Sequence, residues 1–308
     1  MRKITNIPVL FILLTSCGLA CGQGPVFNEL IHASKIGNDV YMEWQPAVGA
    51  DGYNIYRFDA IPTGPPPYPV YATVSTPGFT DTGAVADPTF VFYYIVTAYN
   101  TNGETEARNW AFRLNVDFVY APGTLGNHQV SLPYIYHPGG ISDPNGPTVE
   151  DVCRDAGPNL NYVAKWEAYS DTWFLHSCGS PLRDIPIDPG MGYLFGIGNN
   201  FTFSVVGSHD PDFEPGGPSE IYLFCSLGTL CNNWVSVPYH SVAGGAITLC
   251  DEWQNRGDQI MTINRWVPEI DVYFVHPCGT PLMDFDLTPG QAIMVQPATD
   301  ENISIEVN

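Results

Sequence analysis

Acidic, imidazole and aromatic side chains recur in this chain at one fixed spacing. Asp171, His176 and Asp184 have counterparts at Asp271, His276 and Asp284, and beside them Trp166 and Trp173 are matched by Trp266 and Tyr273. Carboxylates that accept hydroxyl hydrogen bonds, set next to flat aromatic faces, are the chemistry of a sugar-binding surface. Trp166, Trp173, Trp266, Tyr273, Asp171 and Asp271 are therefore the candidate ligand-binding residues, arranged as a twofold carbohydrate platform. The competing reading makes the tryptophans core and the aspartates turn formers that hold nearby backbone amides. A residue repeated within a duplicated fold is explained most simply by the fold needing it twice, so the structural reading is preferred.

The motifs that would name a reaction are missing. There is no G-x-S-x-G elbow, H-E-x-x-H pair, P-loop, G-x-G-x-x-G turn or C-x-x-C-H haem site. A glycoside hydrolase needs two carboxylates at a defined separation, which a sequence does not supply; it stands as the lesser alternative to a non-enzyme. The oxygen-rich stretches His209-Asp-Pro-Asp-Phe-Glu214 and Asp143-Pro-Asn-Gly146 do not fit the twelve-residue calcium loop. No metal or other cofactor is expected.

The start of the chain sets the compartment. Arg2 and Lys3 precede the apolar stretch from Ile7 to Leu14, which is short of the ~20 residues that cross a bilayer, so residues 1–21 read as an export signal. Leu14-Thr15-Ser16-Cys17 resembles the bacterial lipobox, which would make Cys17 the lipidated new terminus, with Cys21 as the alternative and plain secretion as the other outcome. With 11 Lys plus Arg against 32 Asp plus Glu, a net charge of -21, the chain repels nucleic acid and anionic lipid. Membrane contact is expected only through the lipid, and the expected partners are extracellular polysaccharide or a surface protein.

Six further cysteines, Cys153, Cys178, Cys225, Cys231, Cys250 and Cys278, read as a disulfide framework in an exported chain. The duplication favours pairing Cys153 with Cys178 and Cys250 with Cys278, which leaves Cys225 for Cys231. Chain entropy assigns about 3.5 kcal/mol to each of the two longer loops.

The elements that position these residues follow from the same repetition, which runs from Trp166/Trp266 through Cys178/Cys278 and Pro181/Pro281 to Gly190/Gly290. Each copy opens with a strand (Asn127–Tyr134, Asn232–Tyr239), continues into a short helix announced by the capping boxes Thr148-x-x-Asp151 and Thr248-x-x-Asp251, and ends in four more strands. The copies cover residues 118–208 and 221–308, with a linker at 209–220.

Residues 25–117 follow a different pattern, with period-two alternation at Val40–Trp44, Tyr53–Arg57, Val70–Val74 and Phe90–Tyr99 between turn-forming clusters. Trp44, Tyr53-x-Ile55-Tyr56-Arg57, Phe79-Thr80-Asp81 and Tyr94-x-Val96-x-Ala98-x-Asn100 with Gly103-Glu104 carry a resemblance to the fibronectin type III domain. That resemblance implies a β-sandwich that spaces or binds and implies no chemistry. Phe92 stands where the family's corner tyrosine is expected, with neighbouring Tyr93 as a substitute. The Pro-rich insert Pro62–Pro69 is expected to be a stiff loop. The expected fold is thus mainly β: a fibronectin type III-like sandwich followed by two tandem disulfide-stapled β-rich repeats, each with one short helix.

Overall fold

The computed structural model describes residues 23–62, 67–138, 146–213, 219–237, 245–288 and 290–303. The expected export signal with Cys17 and Cys21, the centre of the Pro-rich insert and the Asp143-Pro-Asn stretch lie outside the described residues.

The first module is a two-sheet sandwich. Strands β1 (His32–Ile36), β2 (Asp39–Glu43) and β5 (Gly78–Asp81) form one antiparallel sheet in the order β1-β2-β5. Facing it are β3 (Gly52–Phe58), β4 (Ala72–Val74), β6 (Phe92–Asn100) and β8 (Ala111–Phe118), in the order β4-β3-β6-β8, with β7 (Gly103–Glu106) hairpinned onto β6. This is the fibronectin type III-like arrangement. Period-two alternation sends Val40, Met42, Ile55, Tyr94 and Val96 into the space between the sheets, closed at one end by Trp44.

A buried carboxylate joins the two sheets. Asp81, 2 % exposed at the end of β5, accepts hydrogen bonds from Tyr71 Oη (2.9 Å), Tyr94 Oη (2.8 Å) and Arg57 Nη1 (2.8 Å), all from the opposite sheet or its margin. Neither expected corner residue takes part: Phe92 lies under the Arg57 guanidinium, and Tyr93 points away from the sandwich core into the cluster shared with the first repeat.

The first repeat holds β9 (Asn127–Ser131), α1 (Val149–Ala156), β10 (Leu160–Glu167), β11 (Thr172–Ser177), β12 (Gly192–Ile197) and β13 (Phe201–Ser208); four of these strands make a sheet ordered β11-β10-β12-β9. The second repeat has β14 (Ile221–Leu223), β15 (Asn233–Ser236), α2 (Ala246–Arg256), β16 (Ile260–Val267), β17 (Val272–Pro277), β18 (Ala292–Pro297) and β19 (Glu301–Ile303), with the equivalent order β15-β18-β16-β17. Disulfides Cys153–Cys178 and Cys250–Cys278, at sequence separations of 25 and 28, staple each helix to the strand hairpin, and Cys225–Cys231 closes a short loop.

β13 does not stay within the first repeat. It pairs along its whole length with β8, extending the sandwich sheet by one strand. In the second repeat the equivalent rungs are Ile221–Ile303, Tyr222–Asn302 and Leu223–Glu301 between β14 and β19, which correspond to Val116–Phe203, Asp117–Thr202 and Phe118–Phe201. The end of β8 is therefore both the last sandwich strand and the opening strand of the first repeat, and it crosses the boundary expected at 117/118. The β6–β8 sheet is consequently buried on both faces: Tyr94 and Val96 face the sandwich core, whereas Tyr93, Phe112 and Leu114 pack with Val130, Leu132 and Phe195 of the repeat.

The helix starts differ between the copies. Thr148 caps α1 with the full expected box, donating its N–H to Asp151 Oδ2 at 3.0 Å while its Oγ1 accepts from Asp151 N. Thr248 is not a cap. α2 begins at Ala246 behind Gly245, so Thr248 lies inside the first turn. The N-cap position is filled by Gly245, where a Cβ would lie 2.5 Å from Asp284 Oδ1, and that carboxylate accepts from Ile247 N at 3.1 Å. Asp184 treats Glu150 N in the same way at 3.1 Å. The repeated aspartates are thus anions placed on helix N-termini from a distant loop.

Replacing Asp81 with Ala strips one buried acceptor from three donors and is expected to cost about 3 kcal/mol in denaturant unfolding, against roughly 1 kcal/mol for Tyr71→Phe, which removes one of the three. A wild-type midpoint for Asp81→Ala would refute the inter-sheet role.

Candidate functional site

The repeated aromatic and acidic residues meet where the two repeats face each other, and each copy gives the other the same set of bonds. Trp166 Nε1 donates to Asn232 O of the second repeat at 2.7 Å, and Trp266 Nε1 donates to Asn127 O of the first at 2.7 Å. Asp171 Oδ2 accepts from Leu230 N at 2.9 Å; Asp271 Oδ2 accepts from Leu125 N at 2.9 Å. Ser131 N reaches Gly290 O (3.0 Å) and Ser236 N reaches Gly190 O (2.9 Å). The repeats are related by an approximate twofold, and the tip of each strand hairpin docks on the opening segment of the other copy.

Local geometry explains the residue types. Asp171 and Asp271 hold φ of 48° and 50° at the hairpin tips, a conformation that Asp tolerates better than most residues because its side chain bonds locally. In both copies the remaining carboxylate oxygen, Oδ1, is buried without a protein partner among the described residues. Trp166, Trp234 and Met294 form a small buried cluster, with Trp173 and Tyr273 packed on it; Trp173 meets Trp234 edge-on at 4.2 Å between centroids. Burial holds the Tyr273 hydroxyl well above its usual range, and it accepts from Gln129 Nε2 at 3.0 Å. These six candidates are thus brought together, but as a clasp between repeats and not as an open stacking platform.

His176 and His276 are buried beneath the hairpins. Each ring turns Nδ1 to the carbonyl of Leu182 or Leu282, at 3.1 and 2.8 Å. In the first copy Nε2 faces Glu150 Oε2 at 2.8 Å; in the second, Ile247 takes the place of Glu150 and Nε2 has no partner among the described residues. Burial opposes charge on His176, yet the Glu150 bond and the two carbonyls outweigh it and raise its pKa, while the His176 bond lowers that of Glu150. Glu150, Cys153 and His176 lie close enough to hold a metal ion, but the Cys153 sulfur is bonded to Cys178, so the group is a structural knot.

An open cleft of about 480 Å³ lies where β8, β9 and β16 converge, lined by Asp117, His128, Arg265, Trp266, Glu269 and Gln291 among others. Of the six candidates only Trp266 reaches it. Asp117 already accepts from Thr202 Oγ1 (2.6 Å), His128 contacts Val119 O (3.2 Å), and burial keeps the His128 pKa low. Arg265 lies over Phe274 and Phe285, whereas Glu269 is exposed. Asn127, Gln129, Leu125 and Leu230, which carry the clasp, were not singled out in the sequence. The alignment of Asn127–Tyr134 with Asn232–Tyr239 marks Asn127 and Asn232 as equivalent, but it stops short of Leu125 and Leu230 and says nothing about exchange between copies.

No family model matches the chain, and no curated protein matches it. Among solved structures, a Fn3-like protein from Clostridium thermocellum is 29% identical over 28% of this chain and 84% of its own, with a TM-score of 0.22. The chicken CNTN1 FN1-FN3 domains are 12% identical over 92% of this chain and 100% of theirs (TM-score 0.23), and the chicken interferon gamma receptor alpha chain is 11% identical over 59% and 98% (TM-score 0.21). TM-scores of this size describe no shared overall arrangement, and the sandwich assignment rests on strand order.

Asp271→Gly keeps the left-handed backbone but removes the acceptor, so it is expected to cost about 1–3 kcal/mol and to speed hydrogen exchange at Leu125 N–H, while Asp171→Gly does so at Leu230 N–H; exchange that is unchanged, or accelerated evenly across both repeats, contradicts the reciprocal contact. His176, with its pKa raised, stabilises fully below 6.5 and loses this effect as pH rises through its folded value; Glu150, with its pKa lowered, stabilises above 4.5 and loses it in acid. The stability gap between wild type and Glu150→Gln should therefore be widest between about pH 4.5 and 6.5 and narrow on either side; a gap that is flat with pH rules out the ion pair.

Proposed function

We propose that this chain is an exported, non-catalytic binding or structural component, built from a fibronectin type III-like sandwich and two stapled repeats, and held at a cell surface through lipid on Cys17 or Cys21 or released freely. The observation that carries the reading is the reciprocal clasp. The aromatic and acidic side chains that looked most like chemistry are engaged in joining one repeat to the other, so they serve to make a rigid surface. Three disulfides suit an oxidising compartment, and the acidic balance favours solubility outside the cell over contact with nucleic acid.

A second reading, a carbohydrate-binding accessory protein, is favoured by one observation: the polar cleft that brings the side of Trp266 together with Asp117, Glu269 and Gln291. Pull-down of the purified mature chain on a panel of insoluble polysaccharides tests both. Retention that is lost in Glu269→Gln supports the cleft as a sugar site. No retention, with partner proteins recovered instead by cross-linking at the native envelope, supports the first reading. Free thiols at Cys153, Cys178, Cys250 and Cys278 in envelope-derived material, or turnover of a polysaccharide by the purified chain, defeats it.

A further inference from the structure

Away from the clasp and the cleft, two histidines from different modules meet ring to ring. His32 opens β1 of the sandwich, and His137 follows the segment of the first repeat in which Ile135 bridges to Ser208 at the end of β13. His32 Nδ1 and His137 Nε2 are 3.3 Å apart, with the ring planes inclined by 43°. Neither ring makes another hydrogen bond to the described residues. At 3.3 Å the contact is at the long end for a hydrogen bond, since N–H···O bonds span about 2.7–3.2 Å. Two imidazole nitrogens bound at about 2.0–2.1 Å to one tetrahedral ion lie about 3.3–3.4 Å apart, which is the spacing here.

The surroundings suit a cation. Burial lowers the pKa of both rings and so favours the neutral form that binds metal. Glu43 stands directly across from His32 in the β1–β2 register, its carboxylate held by Tyr41 Oη at 2.8 Å. Asp210, half-buried just beyond β13, adds a second negative field at His32. A cavity of about 360 Å³ lies on the His32 side of the pair, lined by His32 and Glu43 together with Arg108, whose guanidinium is paired with Asp212.

We propose that His32 and His137 form a divalent transition-metal site that ties the sandwich to the first repeat, with Glu43 and Asp210 supplying the balancing charge. Two nitrogen donors select zinc, nickel or copper over calcium and magnesium. An ion bound there couples the modules, because one ligand comes from each, and it stabilises the folded chain by mass action.

The test is isothermal titration of the mature chain with Zn²⁺ alone, repeated with His32→Asn and His137→Gln. One saturable equivalent in the wild type, lost in both variants, together with a rise in Tm on adding Zn²⁺ that neither variant shows, is the expected result; excess Ca²⁺ should not displace the ion. As a readout that needs no variant, ¹⁵N spectra of the imidazoles in the wild-type chain should show Zn²⁺ shifting His32 Nδ1 and His137 Nε2 selectively. Absence of saturable binding, or binding that both variants retain and that Ca²⁺ competes away, overturns the site and identifies diffuse carboxylate binding or a plain histidine hydrogen bond.

Discussion

The second module pair is organised around one set of reciprocal bonds: the indole N–H groups of Trp166 and Trp266 each take their acceptor from the other repeat. Trp166 and Trp266 each reach the backbone carbonyl of an asparagine in the opposite copy, and Asp171 and Asp271 each return an acceptor to an opposite backbone amide. An unmade bond of this kind costs more than a made one contributes, so the four bonds define one docking geometry more sharply than apolar contact alone could. The aromatic cluster around Trp234 then fills the space that this geometry leaves.

A second constraint joins the repeats to the sandwich. The end of β8 pairs with β13 in the same three rungs that β14 makes with β19, so the first repeat borrows its opening strand from the sandwich where the second repeat must provide its own. This sharing covers the outer face of the β6–β8 sheet with the repeat and leaves no flexible connection at that point. The apolar run from Phe90 to Tyr99 reads as continuous because its alternate residues enter two different cores, one on each face of the sheet.

Much of this was legible from particular residues. Repetition of cysteine and apolar positions disclosed the paired units, the cysteine spacing disclosed the bridges, and period-two alternation with Trp44 and Tyr94 disclosed the sandwich. The Thr148 box was legible because its two partners are three residues apart. The same pattern at Thr248 misled, because the N-cap position that Thr148 fills in the first copy is Gly245 in the second, which leaves Thr248 inside the first turn. His176 and His276 were indistinguishable as repeated residues; the change from Glu150 to Ile247 that separates them becomes visible only once the helix lies over the ring.

The sequence by itself determined the secondary-structure types, the duplication, the bridges and the acidic character, since each follows from local spacing or from counting. Only the tertiary structure decided that the tryptophans and aspartates face each other across the repeats, that one strand serves two modules, and that His32 and His137 come within 3.3 Å of each other. Those outcomes depend on which surfaces must be covered to bury apolar area and satisfy polar groups at once, a condition set by distant parts of the chain acting together and carried by no short stretch of residues.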